Sequence, residues 1–127
     1  MSTSFNPVAS FIPVIVRLYG PLNDVRVRLA LDTGATQTLV NKETAQFLGY
    51  DVDEPAETVG LITASGEETT SVIAIRRIEA LEQSRRDLPV LCHNLPSGAP
   101  FDGLLGLDFF RGQCLTIDFR EGLINLD

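Results

Sequence analysis

The chain has 127 residues, 44% of them hydrophobic and 21% charged, which is the composition of one soluble globular domain rather than a disordered or fibrous chain. A formal net charge of −7 gives it no overall attraction for nucleic acid or anionic lipid, so we expect neither nucleic acid nor a membrane as partner. Because no apolar run approaches the roughly 20 residues that span a bilayer, and because the first ten residues do not resemble a secretory signal, we expect a cytoplasmic protein or a domain cut from a longer one.

The first third of the chain predicts a hairpin followed by a short helix. Apolar residues alternate with polar ones from Ile12 to Leu18 and again from Val25 to Leu31, with turn-forming residues between them. The second of these strands leads directly into Asp32. A helix is predicted over Lys42 to Leu48, with Asn41 as its N-cap and Gly49 at its end.

The middle of the chain predicts a second hairpin with an exposed, flexible tip. Strand-like stretches at 57–63 and 67–75 are joined through Ala64, Ser65 and Gly66. Residues 78–81 should continue this sheet, 83–86 should turn the chain, and 88–92 should form another strand before a loop at 94–100.

The last quarter predicts a compact helix over Gly103 to Phe110, because Leu105 and Phe109 lie four residues apart. Gly106 inside a helix would cost about 1 kcal/mol relative to alanine, which indicates a close backbone approach at that position. Strands at 115–119 and 123–126 follow, separated by a turn. The pattern as a whole predicts a mainly β fold: a small, mostly antiparallel β-barrel with one or two short helices, in a single domain over 1–127 with a flexible N-terminal extension at 1–10.

The cysteines and the histidine predict no metal site and no other cofactor. Cys92 and Cys114 lack a CxxC spacing and lie in apolar surroundings, so we interpret them as two buried free thiols. His93 is the only histidine, and no serine or cysteine stands in a recognisable nucleophile motif. It is interpreted as a loop residue whose hydrogen bonds are satisfied.

Asp32, Thr33 and Gly34 form the candidate catalytic motif. A carboxylate at the end of an apolar strand can act as a general base towards water, the threonine hydroxyl can hydrogen-bond across a tight turn, and glycine permits close backbone approach. These three residue types are also common in ordinary turns, so the motif alone is a weak signal.

Three motifs in order strengthen that signal: the segment Leu31 to Thr36 after an apolar strand, the glycine-tipped hairpin, and the segment Phe101 to Phe110. In this order and spacing the sequence resembles the retropepsin-like aspartic proteases, from about Ile12 to Leu126. The resemblance implies a closed barrel of the retropepsin type, with 104–106 packed as a helical turn beneath the active site. It also implies site residues: Asp32 as catalytic carboxylate, Thr33 as a brace between two such turns, Gly34, Ala35 and Thr36 against the substrate, and Ala64, Ser65 and Gly66 as the tip of a flap.

The sequence departs from the viral members of that family at two positions. Viral enzymes often have an aspartate after the D-T-G-A segment and an arginine after the helix glycine, as a paired support. Thr36 and Leu107 stand there in this chain. Since both charges are absent together, neither is left unpaired, and the dimer support and the substrate contacts need not be those of viral enzymes.

A single Asp-Thr-Gly predicts a homodimer. The reaction of this family needs two carboxylates that share a proton, and only Asp32 stands in a suitable turn. Surface or capping roles are expected for Asp102 and Asp118. Two copies of Asp32 across a twofold axis would complete the pair. The strand Leu123 to Leu126 is expected to contribute to the contact, because an apolar terminal edge is unfavourable to expose.

The function predicted on these grounds is an aspartic endopeptidase that acts on peptides or unfolded proteins. Two alternatives remain open: a non-catalytic peptide-binding or dimerisation module on the same fold, and a structural β-barrel in which the Asp-Thr-Gly turn is coincidental.

Overall fold

The structure is a computed structural model and describes residues 2–55, 57–64 and 66–127. Within these residues the helices and strands follow in this order: β1 (Ser2–Ser4), β2 (Pro13–Tyr19), β3 (Asp24–Leu31), β4 (Leu39–Val40), α1 (Lys42–Leu48), β5 (Glu57–Thr63), β6 (Gly66–Ala80), β7 (Gln83–Cys92), β8 (Gly103–Leu105), α2 (Leu107–Phe110), β9 (Leu115–Asp118) and β10 (Leu123–Leu126). The mainly β fold class is confirmed.

Six strands close into a barrel. They pair in the order β2-β3-β8-β4-β7-β6, and a further pairing of β2 with β6 completes the ring, leaving β5 outside as the free arm of a hairpin with β6. Most pairings are antiparallel, as predicted. The exceptions are β3 with β8 and β4 with β7, which are parallel.

The barrel core follows from the period-two patterns of the strands. Val14, Val16 and Leu18 of β2 point inward together with Val27 and Leu29 of β3, and all five are buried. The alternate residues face outward, where β2 and β3 carry arginines. Burial of one complete face fixes the register of this hairpin.

The helix α1 has the predicted bounds, but its cap differs. Asn41 occupies the N-cap position without a side-chain cap hydrogen bond, because its Oδ1 accepts from the backbone N–H of Leu95 instead. The Asn94 side chain accepts from the N–H of Lys42. Gly49 ends the helix in the left-handed conformation, with φ of 102°.

Two local predictions are wrong. Residues 103–110 do not form one helix: 103–105 are strand β8, inserted between β3 and β4, and only 107–110 are helical. The turn predicted at 83–86 lies instead at Leu81 and Glu82, both with positive φ, so that β7 begins at Gln83.

The chain termini form a separate three-stranded sheet in the order β1-β10-β9. The segment 1–10, predicted to be a flexible extension, therefore contains a paired strand at Ser2–Ser4, and its mobility stays a prediction. Both edges of β10 are occupied, and Ile124 and Leu126 are buried in the core of their own chain. Hence β10 is not an open apolar edge that needs a second chain to cover it.

The thiols differ from each other. Cys92 is buried, as predicted, whereas Cys114 is exposed and the prediction of two buried thiols is wrong for it. Burial raises the pKa of the Cys92 thiol to about 12. No helix in the described part of the chain is long and apolar enough to cross a membrane.

Candidate active site

Asp32 lies where β3 leaves the barrel, and the backbone on both sides of it is fixed by hydrogen bonds. Its N–H donates to the carbonyl of Leu105 in β8 at 3.0 Å, and its carbonyl accepts from Ala35 N–H at 3.2 Å, which closes a tight turn. The half-buried position at the end of the strand leaves the carboxylate accessible. The predicted strand-to-turn setting of Asp32 is confirmed.

Gly34 holds the carboxylate of Asp32 in one orientation. The Gly34 N–H donates to Asp32 Oδ1 at 2.8 Å, and a Cβ at position 34 would lie 3.1 Å from the same oxygen. The other carboxylate oxygen makes no hydrogen bond with any residue that the structure describes, nor does the exposed Thr33 hydroxyl. The turn therefore presents one oriented carboxylate with one unoccupied oxygen.

The support beneath the turn comes from Thr38 and Asp108, two residues that the sequence analysis missed. Thr38 is fully buried; its hydroxyl donates to Asp108 Oδ1 at 2.7 Å, and its N–H donates to Asp108 Oδ2 at 2.9 Å. The same hydroxyl accepts from Gly106 N–H at 3.1 Å. This carboxylate–hydroxyl pair joins the segment after Asp32 to the start of α2 within one chain.

Gly106 is a point of close approach between these segments. A Cβ there would lie 2.7 Å from the backbone carbon of Gln37 and 2.8 Å from the carbonyl oxygen of Ala35. Leu107 N–H donates to that same Ala35 oxygen at 2.8 Å. The predicted close approach at Gly106 is confirmed, although the residue precedes helix α2 instead of lying inside a helix.

The remaining acidic candidates have structural roles, as expected. Asp102 Oδ2 accepts from Arg28 N–H at 3.1 Å, and Asp118 Oδ1 accepts from the N–H groups of Arg120 and Glu121 in the β9–β10 turn. Within residues 2–55, 57–64 and 66–127, no three histidine, cysteine or carboxylate side chains are grouped so that they could hold a metal ion.

An apolar cavity of about 370 Å³ adjoins the turn on the side of the β5–β6 hairpin. It is lined by Ala35, Thr36 and Gln37 of the segment after Asp32 and by Val59, Gly60 and Leu61 of β5. Leu39, Leu91 and Leu104 complete the lining. The arm of the hairpin and the residues that follow Asp32 therefore border the same cavity.

The hairpin tip is exposed at Ala64 and Gly66, as predicted, and Gly66 has φ of 116°, which favours glycine. Ser65 lies outside the described residues. At the base of the hairpin, His93 Nδ1 lies 3.1 Å from Thr70 Oγ1, and His93 Nε2 lies 3.4 Å from Glu68 Oε2. The histidine thus joins β6 to the loop after β7, in keeping with the structural role expected for it.

A second cavity, of about 410 Å³, is lined in part by Asp32 and is rich in aromatic residues. Phe5 packs edge-to-face on Phe119 with ring centroids 5.9 Å apart, and Phe11 packs on Phe101 at 5.0 Å. We call these four residues the aromatic face. Phe119 is 62% exposed, so part of this face is open to solvent next to the carboxylate.

Comparison with solved structures relates the fold to known proteases. A retropepsin-like aspartic protease from Rickettsia conorii matches with a TM-score of 0.76 at 21% identity, covering 99% of this chain and 89% of that one. The EIAV protease complexed with the inhibitor HBY-793 matches with a TM-score of 0.59 at 18% identity, covering 86% of this chain and 92% of that one. These identities show a shared fold, and the retropepsin-type barrel is confirmed.

Comparison of sequences identifies the family. An uncharacterized protein of Rickettsia prowazekii (strain Madrid E) is 33% identical over 57 residues, which are 45% of this chain and 25% of that protein. The chain thus matches about a quarter of that relative's length. The aspartyl protease family matches residues 18–109, a span that includes Asp32, the hairpin and Gly106. The chain belongs to the aspartyl protease family and has the retropepsin-like fold.

Proposed function

We propose that the protein is an aspartic endopeptidase whose active site forms when Asp32 of one protomer meets Asp32 of a second. The observation that carries the proposal is the orientation of the Asp32 carboxylate by Gly34 N–H, with its other oxygen unoccupied, beside an apolar cavity. One such carboxylate provides half of the acid–base pair that peptide hydrolysis by this route requires.

In the proposed pair, two carboxyl groups about 3 Å apart share one proton, because like charges at that distance do not both ionise. The ionised group removes a proton from the attacking water while the protonated group donates to the carbonyl oxygen of the peptide. A tetrahedral diol forms without a covalent enzyme intermediate. Each chain contributes the same residue to both roles.

The second protomer is proposed to pack against the aromatic face, with Thr33 next to it. The surface fits this role because it is apolar, partly exposed and continuous with Asp32. A Thr33 hydroxyl without a partner in the described part of its own chain is available to the second chain. The paired edges of β10 leave that strand a smaller direct part in the contact than its sequence indicated.

The substrate proposed for this site is an extended peptide or unfolded protein with an apolar side chain next to the scissile bond. The cavity of about 370 Å³ beside the turn is lined mainly by leucine, valine and alanine side chains, which favour an apolar group. Gly34, Ala35 and Thr36 would contact the peptide backbone. Ala64, Ser65 and Gly66 would close over it as the tip of a lid.

The decisive test is Asp32→Asn, with Asp53→Asn as a matched control at an exposed position. The amide retains the size of the carboxylate but accepts no proton from water, so Asp32→Asn should abolish cleavage of an unfolded protein while secondary structure and particle mass stay unchanged. Asp53→Asn should cleave at the parental rate. A statine-type inhibitor, whose hydroxyl stands in for the attacking water, should block cleavage.

Three outcomes would contradict the proposal. Full activity in Asp32→Asn would remove the catalytic assignment. Activity from a strict monomer in sedimentation at high concentration would remove the paired carboxylates. If the parent protein cleaved nothing over a broad panel of unfolded substrates and pH values, a non-catalytic peptide-binding module on this fold would replace the enzyme.

A further inference from the structure

Five arginines project from one outer face of the barrel, in a chain whose formal net charge is −7. The strands of this face lie in the order β7-β6-β2-β3. We call the residues that carry its positive charge the arginine face: Arg17, Arg26, Arg28, Arg77 and Arg86. The whole chain has only ten lysine and arginine residues, so half of them are collected here.

The strand register puts like charges opposite each other on this face. Arg17 of β2 is the direct partner of Arg26 in β3, and Arg77 of β6 is the direct partner of Arg86 in β7. Like charges directly across a strand pair destabilise a sheet. Within each pair one arginine has an acidic partner, Asp24 for Arg17 and Glu79 for Arg77, so the unbalanced positive charge lies on Arg26 and Arg86.

Two of the five guanidinium groups are held in position. Arg17 and Arg77 both contact the Tyr19 ring, with guanidinium carbons 5.3 and 5.4 Å from its centroid. Arg17 pairs with Asp24, and Arg77 Nη2 donates to Glu79 Oε2 at 3.1 Å. These contacts orient two cations before any ligand arrives.

The other three arginines are not neutralised. The exposed side chains of Arg26, Arg28 and Arg86 form no ion pair with any residue that the structure describes. Arg17, Arg26 and Arg77 line a groove of about 520 Å³, together with Glu79 and Glu82. The groove is therefore lined both by Arg17 and Arg77, which are held in position, and by Arg26, which forms no ion pair with any described residue.

The spacing of the arginines fits an extended acidic peptide. Arg26 and Arg28 are two residues apart on β3, about 6.8 Å, which is also the repeat of side chains along one face of an extended chain. Guanidinium groups bind carboxylates through two parallel hydrogen bonds. A continuous phosphate backbone fits less well, because Glu79 and Glu82 in the groove and the net charge of −7 would repel it.

We propose that the arginine face binds an acidic segment of a polypeptide, outside the cleft that would hold the scissile bond. Arg28 is four residues before Asp32, about 14 Å along an extended chain, so a substrate of moderate length could reach both. This inference rests on the proposed function in one respect: it takes the bound polypeptide to be the substrate of the proposed protease. Recognition of an acidic segment would then add to the apolar preference of the cleft.

Binding is tested in the Asp32→Asn protein, so that nothing is cleaved, by fluorescence anisotropy of a labelled twelve-residue peptide of alternating Glu and Ser at low salt. Arg26→Gln with Arg28→Gln should weaken binding about tenfold, the combined effect of two exposed ion pairs. The matched control, Arg111→Gln with Arg120→Gln, removes the same charge from outside the face and should bind as before. A Gln–Ser peptide should not bind, and added salt should weaken binding of the Glu–Ser peptide.

Equal affinity of the two double variants for the Glu–Ser peptide would overturn the assignment, as would binding of the Gln–Ser peptide. The assignment would also be overturned if a twelve-residue thymidine oligonucleotide or phosphatidylserine vesicles bound more tightly than the Glu–Ser peptide and the Arg26→Gln, Arg28→Gln variant lost that binding. In the protein with Asp32 intact, the same substitutions should raise KM for a substrate with an acidic tail and leave kcat unchanged. Acidic-peptide binding without any cleavage would refute the proposed function and leave this inference standing.

Discussion

Replacing Thr38 by valine tests whether the candidate site is supported from within its own chain. Valine has nearly the shape of threonine but lacks the hydroxyl, which is fully buried and donates to Asp108 while accepting from Gly106 N–H. The substitution removes a hydrogen bond to an ionised group, worth about 1.5–3 kcal/mol, and leaves a buried N–H unpaired, which costs about 1–3 kcal/mol. Because neighbouring effects do not add fully, we expect a loss of about 3 kcal/mol in the free energy of unfolding.

The loss is measured by urea unfolding followed by circular dichroism, at one fixed protein concentration because association would stabilise the folded state. A loss of this size corresponds to a melting temperature lower by about 10 °C. Thr38→Ser keeps the hydroxyl and should recover most of the stability. Thr116→Val, at an exposed position of β9, should change the free energy by less than about 0.5 kcal/mol. If Thr38→Val behaved like Thr116→Val, the Thr38–Asp108 pair would not be a support.

The remaining predictions concern other parts of the molecule. Gly106→Ala should destabilise the fold by more than Gly60→Ala in urea titrations, because a Cβ at 106 meets backbone at 2.7 Å whereas at 60 it meets only the Glu67 carboxylate, at 3.4 Å; a smaller effect at 106 would count against the close approach. In the folded protein at pH 8 a thiol reagent should label only Cys114, because burial raises the pKa of Cys92 to about 12; labelling of both would contradict its burial. This pKa lies above that of the unfolded thiol, so the contribution of Cys92 to stability is complete below about pH 9 and declines as pH rises towards 12. Amide exchange in the hairpin tip at Ala64 should slow when a statine-type inhibitor binds, and unchanged exchange would argue against a lid.

The parts of the fold that could be predicted from the sequence are those whose signal is local. The β2–β3 hairpin has a period-two pattern on both strands, and α1 has a glycine at its end, so their bounds were nearly correct. The Asp32 turn could be predicted because its motif is contiguous in the sequence. Its position at the end of β3 could be predicted from the period-two pattern of that strand.

The parts that could not be predicted depend on distant partners or on unusual backbone. Strand β8 has only three residues, which are too few to show a period-two pattern. Its place beside β4 requires glycine at position 103, because a Cβ there would lie 2.0 Å from the carbonyl oxygen of Leu39. The turn at Leu81 and Glu82 has positive φ at two residues that give no turn signal. Thr38 and Asp108 are 70 residues apart, so their pairing follows from the barrel and not from any pattern near either one.

The position of β8 links the candidate active site to the core of the barrel. Because β8 pairs with β3 on one side and with β4 on the other, its last residue, Leu105, accepts the hydrogen bond from Asp32 N–H while the next, Gly106, donates to Thr38. The two ends of the segment 32–38 are therefore hydrogen-bonded to two consecutive residues, Leu105 and Gly106, at the end of β8. A displacement of β8 would therefore move the carboxylate and its support together. The support is a partly buried carboxylate–hydroxyl contact within one protomer, so the orientation of Asp32 does not require the second chain that we propose.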